Sequence, residues 1–162
     1  MVPEPATGSI NAEQTIYQPS PTARVREQVA LYESTDGREG GTLEDRPVVI
    51  LTTIGATTGN IRKNPVMRIE HAGTYVAVAS NGEATTHPAW YRNLLAHPEV
   101  RLQDCATVHP LRAREVFGAE KTRWWQIAEA HWPHFPQYRA TAAGREIPVM
   151  LLEPPQDTTA DQ

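Results

Sequence analysis

What this chain lacks narrows it first. A single cysteine, Cys105, in 162 residues excludes an internal disulfide and a thiol pair for zinc or redox chemistry, so its side chain reads as buried packing. Six histidines are present, yet none stands in HExxH, and the HxxH of His131 and His134 is interrupted by Trp132 and Pro133; no metal is expected. Long apolar runs are missing. The stretches 48–51 and 75–79 are the longest, far short of a membrane-spanning helix. The first residues, MVPEPATGSINAEQ, have neither the basic start nor the apolar centre of a secretory leader, so a cytoplasmic protein is expected. Positive charge is scarce too: a net charge of −4 argues against nucleic acid as the main partner, because phosphate backbones need a basic surface. Two phosphate loops are absent as well. No GxGxxG follows a strand, and Gly59 precedes Asn60 and Ile61 where a P-loop needs Lys and then Ser or Thr.

What is present concentrates in residues 47–93. Residues 48–53, VVILTT, lie between Pro47 and Gly55 and have the pattern of a mostly buried strand. GATTG, at 55–59, sets two glycines four apart. It reads first as an ordinary hairpin loop; the alternative is a tight connection whose backbone N–H groups approach an anion. Arg62 and Lys63 add charge at the same end. After Pro65 a strand resumes, turns at His71, Ala72 and Gly73, and returns as 74–79, so three successive antiparallel strands are expected. The polar loop 80–86 leads to His87 and Pro88, where a helix starts with Trp90, Leu94 and Leu95 on one face, closed by His97 and Pro98. Such a junction can hold an anion on free N–H groups, although a plain strand-to-helix connection is the simpler reading.

Around this centre, residues 1–21, with prolines at 3, 5, 19 and 21, read as a flexible arm. Residues 22–155 form the folded domain and 156–162 a disordered tail. A short helix is expected after Thr22, its N-cap, with Val25, Val29, Leu31 and Tyr32 on its apolar side and an end before Asp36 and Gly37. GREGGTLEDRP is a connector or a lid, with connector preferred. Strands at 100–103 and 107–116 flank a turn at Asp104, Cys105 and Ala106, and the second alternates wet and dry positions. A helix after Gly118 carries Trp124, Trp125, Ile127, Ala128 and His131 on one side and stops at Pro133. The last strand is 147–152. Six strands in the order β-β-β-α-β-β-α-β suggest a small barrel and exclude a doubly wound parallel sheet.

Taken together, VVILTTIGATTGNIRKNPV, VAVAS, PAWYRNL, HPEV and IPVMLLEP, in this order across residues 24–154, resemble the deazaflavin-dependent nitroreductase family, group A of the flavin/deazaflavin oxidoreductases. The resemblance implies an α+β, mainly β fold, a split β-barrel of the flavin-reductase and pyridoxamine-phosphate-oxidase kind with short flanking helices. It implies coenzyme F420, an 8-hydroxy-5-deazaflavin carrying a phosphate and an oligoglutamate tail, with FMN less expected. The implied enzyme is an F420H2-dependent reductase that passes hydride to a small-molecule acceptor, a quinone or another electron-poor compound. Carried over residue by residue, Thr52, Thr53, Gly55, Thr57, Thr58, Gly59, Arg62, Lys63, Asn64 and Pro65 match the cofactor segment. Ala79 and Ser80 match the strand end at the cofactor, and Pro88, Trp90, Tyr91 and Asn93 its helix-start motif.

Trp90 has a second reading as core, and Ser80 as a turn residue or as the group that orients ring or substrate. Met67, Trp132, Phe135 and Tyr138 stand where the family's nitroreductases present tyrosines, which implies a more apolar substrate pocket. Tyr138, His134 or water is the expected proton source. Where many members carry Lys or Arg between the two glycines, this chain has Ala56, Thr57 and Thr58, and Asn81, Glu83, Thr85 and Thr86 replace lysines after Ser80; fewer cations face the tail. The alternative function is a non-catalytic carrier of lipid, fatty acid or flavin on the same barrel. Monomer and homodimer both fit, and no stable membrane anchor is expected.

Overall fold

The computed structural model describes residues 16–80, 87–131 and 146–155. In chain order it holds α1 (Ala23–Thr35), β1 (Thr42–Leu43), β2 (Arg46–Ile54), β3 (Ile61–Met67), β4 (Glu70–His71), β5 (Thr74–Val78), α2 (Ala89–Ala96), β6 (Glu99–Asp104), β7 (Thr107–Val116), α3 (Gly118–His131) and β8 (Val149–Glu153). The strands form one sheet in the order β1-β2-β6-β7-β8-β5-β4, with β3 paired to β2 off this path. Every pair of named strands is antiparallel.

Period-two alternation gives each strand two faces, and the chain covers both. Val49 and Leu51 of β2 pack in one buried cluster with Tyr75 and Ala77 of β5 and with Met150 and Leu152 of β8, although β6, β7 and β8 separate β2 from β5 in the sheet. The sheet therefore curls until its two sides share an interior, which makes it a split β-barrel. Trp90 and Leu94 of α2 enter that interior. On the outer faces, Val29 and Tyr32 of α1 cover Val48 and Ile50, while Trp124, Trp125 and Ala128 of α3 cover Val76, Val78, Val149 and Leu151. No helix among the described residues is long and apolar enough to cross a membrane.

Several expectations change. β3 begins at Ile61, ahead of Pro65 and not after it; a proline is tolerable there because β3 lies at an edge of the sheet. The expected antiparallel triplet resolves into two separate hairpins, since β3 pairs with β2 whereas β5 pairs with β4 and with the C-terminal β8, Val76 opposite Leu151. GREGGTLEDRP contains a hairpin, not a bare connector. Leu43 faces Arg46 across Glu44 and Asp45, both left-handed at φ 50° and 63°, the geometry of a two-residue turn. The strands number eight, two of them only two residues long. Leu95 is exposed, and Asn93 takes the inward position beside Trp90 and Leu94. Residues 16–18 of the expected arm lie against β3, where the Ile61 N–H donates to the Ile16 carbonyl at 2.8 Å and the Gln18 N–H to the Ile61 carbonyl at 2.9 Å. Residues 1–15 and the expected tail at 156–162 lie outside the described residues.

Cys105 is exposed and not buried packing. It sits at the tip of the β6–β7 hairpin in a left-handed conformation, φ 56°, where no neighbouring strand covers it. Its N–H donates to the Tyr32 hydroxyl at 2.8 Å, and that hydroxyl donates to the Gln103 carbonyl at 3.3 Å. A single buried phenol thus ties α1 to the far hairpin. Replacing it in Tyr32→Phe is expected to lower unfolding free energy by about 1–2 kcal/mol, the cost of stranding a backbone donor. Urea denaturation tests this, and a loss below about 0.3 kcal/mol would refute the tie.

Candidate functional site

Four strand reversals separate β2 from β5 through β6, β7 and β8, so both run in the same direction and end at the same rim of the barrel. That rim gathers the loop 55–60, residues Ala79 and Ser80, and the start of α2. Three stretches that are distant in sequence meet there. Their junction is the carboxamide of Asn93, which is 8% exposed. Its Oδ1 accepts from the Ala56 N–H at 2.9 Å, and its Nδ2 donates to Oγ1 of the fully buried Thr53 at 3.1 Å.

The loop itself is closed from within. Gly55 N–H donates to the Asn60 carbonyl at 2.7 Å, Gly59 N–H to the Gly55 carbonyl at 2.9 Å, and Asn60 N–H to Thr58 Oγ1 at 3.1 Å. Gly59 is favoured by its left-handed φ of +74°, and a Cβ on Gly55 would stand 2.8 Å from Thr58 Oγ1, the hydroxyl that accepts from Asn60, and would displace it. The amides of Gly55, Ala56, Gly59 and Asn60 are therefore already bonded. Of the N–H cradle expected over 55–59, the exposed Thr57 and Thr58 are the positions that can still turn to an anion.

Along β3, register divides the expected cofactor segment between two faces. Arg62 stands opposite Thr53 and Asn64 opposite Leu51, on the barrel side; Lys63 stands opposite Thr52, Pro65 opposite Ile50 and Met67 opposite Val48, on the side that α1 covers. Lys63 donates to the Glu33 carboxylate of α1 and lies over the Tyr17 ring, 5.1 Å from its centre. Arg62 makes no ion pair among the described residues. All seven residues of β3 are half-buried. Beyond its pairing with β2, the outer edge of the strand meets residues 16–18 only near Ile61. Met67 packs at the far end of the strand, touching both the α1 and the α3 clusters.

Of the helix-start residues, Pro88 occupies the N-cap position and Trp90, 9% exposed, packs in the core cluster. Tyr91 donates its hydroxyl to Glu115 at 2.7 Å, and its ring lies 4.9 Å from that of His87. Burial first, then the bond to Glu115, pushes its phenol up to about 12. Ala79 and Ser80 are both buried. Trp132, His134, Phe135 and Tyr138 lie outside the described residues, as does the loop 81–86. Among the described residues no three His, Cys, Asp or Glu side chains converge as a metal site.

Two arrangements escaped the sequence reading. At the opposite rim, Asp104 Oδ2 accepts from Arg68 Nε at 2.9 Å and from the Tyr75 hydroxyl at 2.6 Å, closing the other end of the barrel with one carboxylate. No spacing announces that contact. Asn93 did carry a signal: a carboxamide on the same helical stripe as Trp90 and Leu94 needs buried partners.

A family described as F420H(2)-dependent quinone reductase matches residues 24–154. The chain is 31% identical over 127 residues to an F420H(2)-dependent quinone reductase of Mycobacterium tuberculosis, covering 76% of this chain and 85% of the relative. A second relative in that organism, a putative F420H(2)-dependent quinone reductase, is 27% identical over 108 residues, covering 67% and 90%. Among solved structures, the F420-H2 dependent reductase FDR-A aligns with a TM-score of 0.62 and 42% identity, covering 69% of this chain and 98% of that one. A domain-swapped dimer aligns at 0.64 with 41% identity, covering 83% and 100%.

Asn93→Ala strands the Ala56 N–H and the Thr53 hydroxyl together, at an expected cost of about 2–3 kcal/mol. Hydrogen exchange at the Ala56 amide should accelerate with it; unchanged protection there would remove Asn93 as the junction. Tyr91 generates a pH prediction. Its folded value lies above the ordinary 10.0, so its contribution is complete below about pH 10 and is lost as pH climbs towards about 12, where the unfolded chain ionises first. Tyr91→Phe should flatten that alkaline fall in a series of denaturation curves, and an identical slope in both proteins counts against the Glu115 bond.

Proposed function

Since the chain belongs to the F420H(2)-dependent quinone reductase family, and is thus an oxidoreductase whose cofactor is coenzyme F420, we propose that the rim around Asn93 and the open edge of β3 together seat the reduced cofactor. The observation that carries this reading is the barrel-side row of β3, a half-buried edge strand: Arg62 opposite Thr53, Asn64 opposite Leu51 and Val66 opposite Val49, with Arg62 in no ion pair among the described residues. Six residue steps span about 20 Å, room for an elongated ligand with a charged end and a planar end. The residues fit such a group: Arg62 supplies charge, Thr57 and Thr58 supply exposed amides, and Val66, on the same side of β3 as Arg62, supplies apolar surface.

The deazaflavin, when bound, supplies hydride chemistry. The chain's own residues bind, orient and keep water out. Arg62 offers a guanidinium to phosphate or carboxylate oxygens, where charge-assisted bonds are stronger than neutral ones. Asn93 holds the loop 55–60 in register with β2, so that the amides of Thr57 and Thr58 have fixed positions. Trp90 fills the barrel mouth behind them. Ser80, buried at the end of the segment that follows β5, orients the ring or the acceptor.

Reduction of a quinone also requires a proton at its oxygen. Tyr91 is unsuited to supply it at neutral pH, being bonded to Glu115 with its phenol raised to about 12. We assign that role to Tyr138 or His134, or to water they hold. Because the positions that the family resemblance assigns to the acceptor are mostly apolar in type, Trp132 and Phe135 beside Tyr138, the preferred substrate is a bulky planar quinone, and bicyclic nitroimidazoles are poor substrates.

Fluorescence titration with F420 tests the seat. Arg62→Ala should weaken binding about ten- to 150-fold, the range of one charge-assisted hydrogen bond. Undiminished affinity would move the anionic end elsewhere. With F420H2 supplied, rapid turnover of a nitroimidazole and slow turnover of quinones would overturn the acceptor assignment.

A further inference from the structure

The junction of the N-terminal segment, α1 and β3 is strongly charged for a chain of net charge −4. Arg62 and Lys63 come from β3, Arg26 and Glu33 from α1, and Tyr17 lies among them. The Lys63 ammonium is committed twice, to the Glu33 carboxylate and to the face of the Tyr17 ring. Arg26 turns its guanidinium to the Ser20 carbonyl at 2.9 Å. Burial raises the Tyr17 phenol first and Glu33 adds to that, while Arg62 and Arg26 pull the other way. Tyr17 thus lies within electrostatic reach of all three. Glu33 is the carboxylate of this group, set against three cations.

Lys63 is one residue from Arg62 on the strand assigned to the cofactor, yet register sends it to the α1 side. There Glu33 neutralises it. Neither partner is deeply buried, with side-chain exposures of 22% and 34%, so the pair is open to exchange with a solvent-borne anion. The strength of such a pair is modest, and its effect is on which anions the neighbouring surface attracts.

We propose that Glu33 is a specificity-determining residue, which by pairing with Lys63 beside Arg62 withholds a cation from the anionic tail of the cofactor and sets a preference for tails with few carboxylates. This rests on the reading that the cofactor's charged end lies at Arg62. Glu33 touches neither cofactor nor acceptor and acts through Lys63. Removing its charge frees a lysine at the end of β3 without removing any group that binds the cofactor.

The test is a binding cycle, read by F420 fluorescence at two ionic strengths, with cofactor preparations of short and long glutamate tail. Glu33→Gln keeps a hydrogen-bonding side chain, and its melting temperature reports that the fold is intact. It should tighten F420 about two- to fivefold, the range that a half-exposed ion pair sustains. The gain should be larger for the longer tail and smaller at high salt. Lys63→Ala alone should change affinity less than about twofold, and in the Glu33→Gln background it should abolish the gain. Unchanged or weaker binding by folded Glu33→Gln, or a gain that survives the loss of Lys63, overturns the proposal. Arg62→Ala separates the two ideas. If it weakens binding while Glu33→Gln does nothing, the inference fails and the seat stands; if it has no effect on a chain that binds F420, the seat itself is wrong and the inference falls with it.

Discussion

One buried carboxamide sets the geometry of the functional rim. α2 is eight residues long, too short to be stable by itself, and it carries no side-chain cap at its start. Trp90 and Leu94 hold it in the barrel mouth by apolar contact, which fixes its depth but leaves sliding and rotation weakly determined. Asn93 removes that freedom. Its two directional bonds, to the Ala56 N–H and to Thr53 Oγ1, can be made together only in one placement of helix, strand end and loop. The penalty for missing them falls on the buried Asn93 carboxamide and Thr53 hydroxyl. The loop 55–60 thereby becomes part of the rigid barrel, although it is exposed over 56–59.

Charge is distributed with a related logic. The chain is acidic overall yet belongs to a family whose cofactor is an anion, and several of its cations already face a carboxylate. Arg68 meets Asp104, Arg112 meets Glu99, and Arg114 is held between Glu120 and Glu153. The Arg114 pairs are half-exposed and contribute little stability each, but they fix the start of α3 against β7 and β8. The Asp104 carboxylate is more sheltered, at 12% exposure, and draws in the Tyr75 hydroxyl as well as Arg68. It ties the end of β6 to the residue after β3 and to the start of β5 at the rim opposite Asn93.

The elements that were legible in the sequence are those whose signal is local. The run VVILTT marks β2, and the Thr22 to Asp36 pattern marks α1 to within a residue, because apolar spacing and helix ends are properties of short windows. Pairing was less legible. β5 follows β3 closely in sequence, so a meander looked natural, but it pairs with β8 some seventy residues on, and no short window contains that preference. The Glu44-Asp45 turn was missed because left-handed pairs usually announce themselves with Asn or Gly. At the site, residue types were readable and directions were not. Arg62, Lys63, Asn64 and Pro65 looked like one binding segment, but a strand turns alternate residues to opposite faces, and only the register against β2 says which residue goes where. The resemblance to a known family pointed to these stretches; the bonds of Asn93 and the Lys63–Glu33 pair show how they are held.

β3 makes the connection between fold and function. An open edge strand is a liability, because its unpaired backbone groups invite another strand. Here the hazard is limited by Pro65, by the charge of Lys63, by α1 over the face of the strand that carries these residues, and by the short parallel contact of residues 16–18 at Ile61. None of these covers the edge between Asn64 and Met67 by pairing. A barrel that closed fully would have no such edge, and it would also have no groove beside a strand. The split in this barrel leaves β3 as an edge strand, and it is beside this strand that we propose the long cofactor lies.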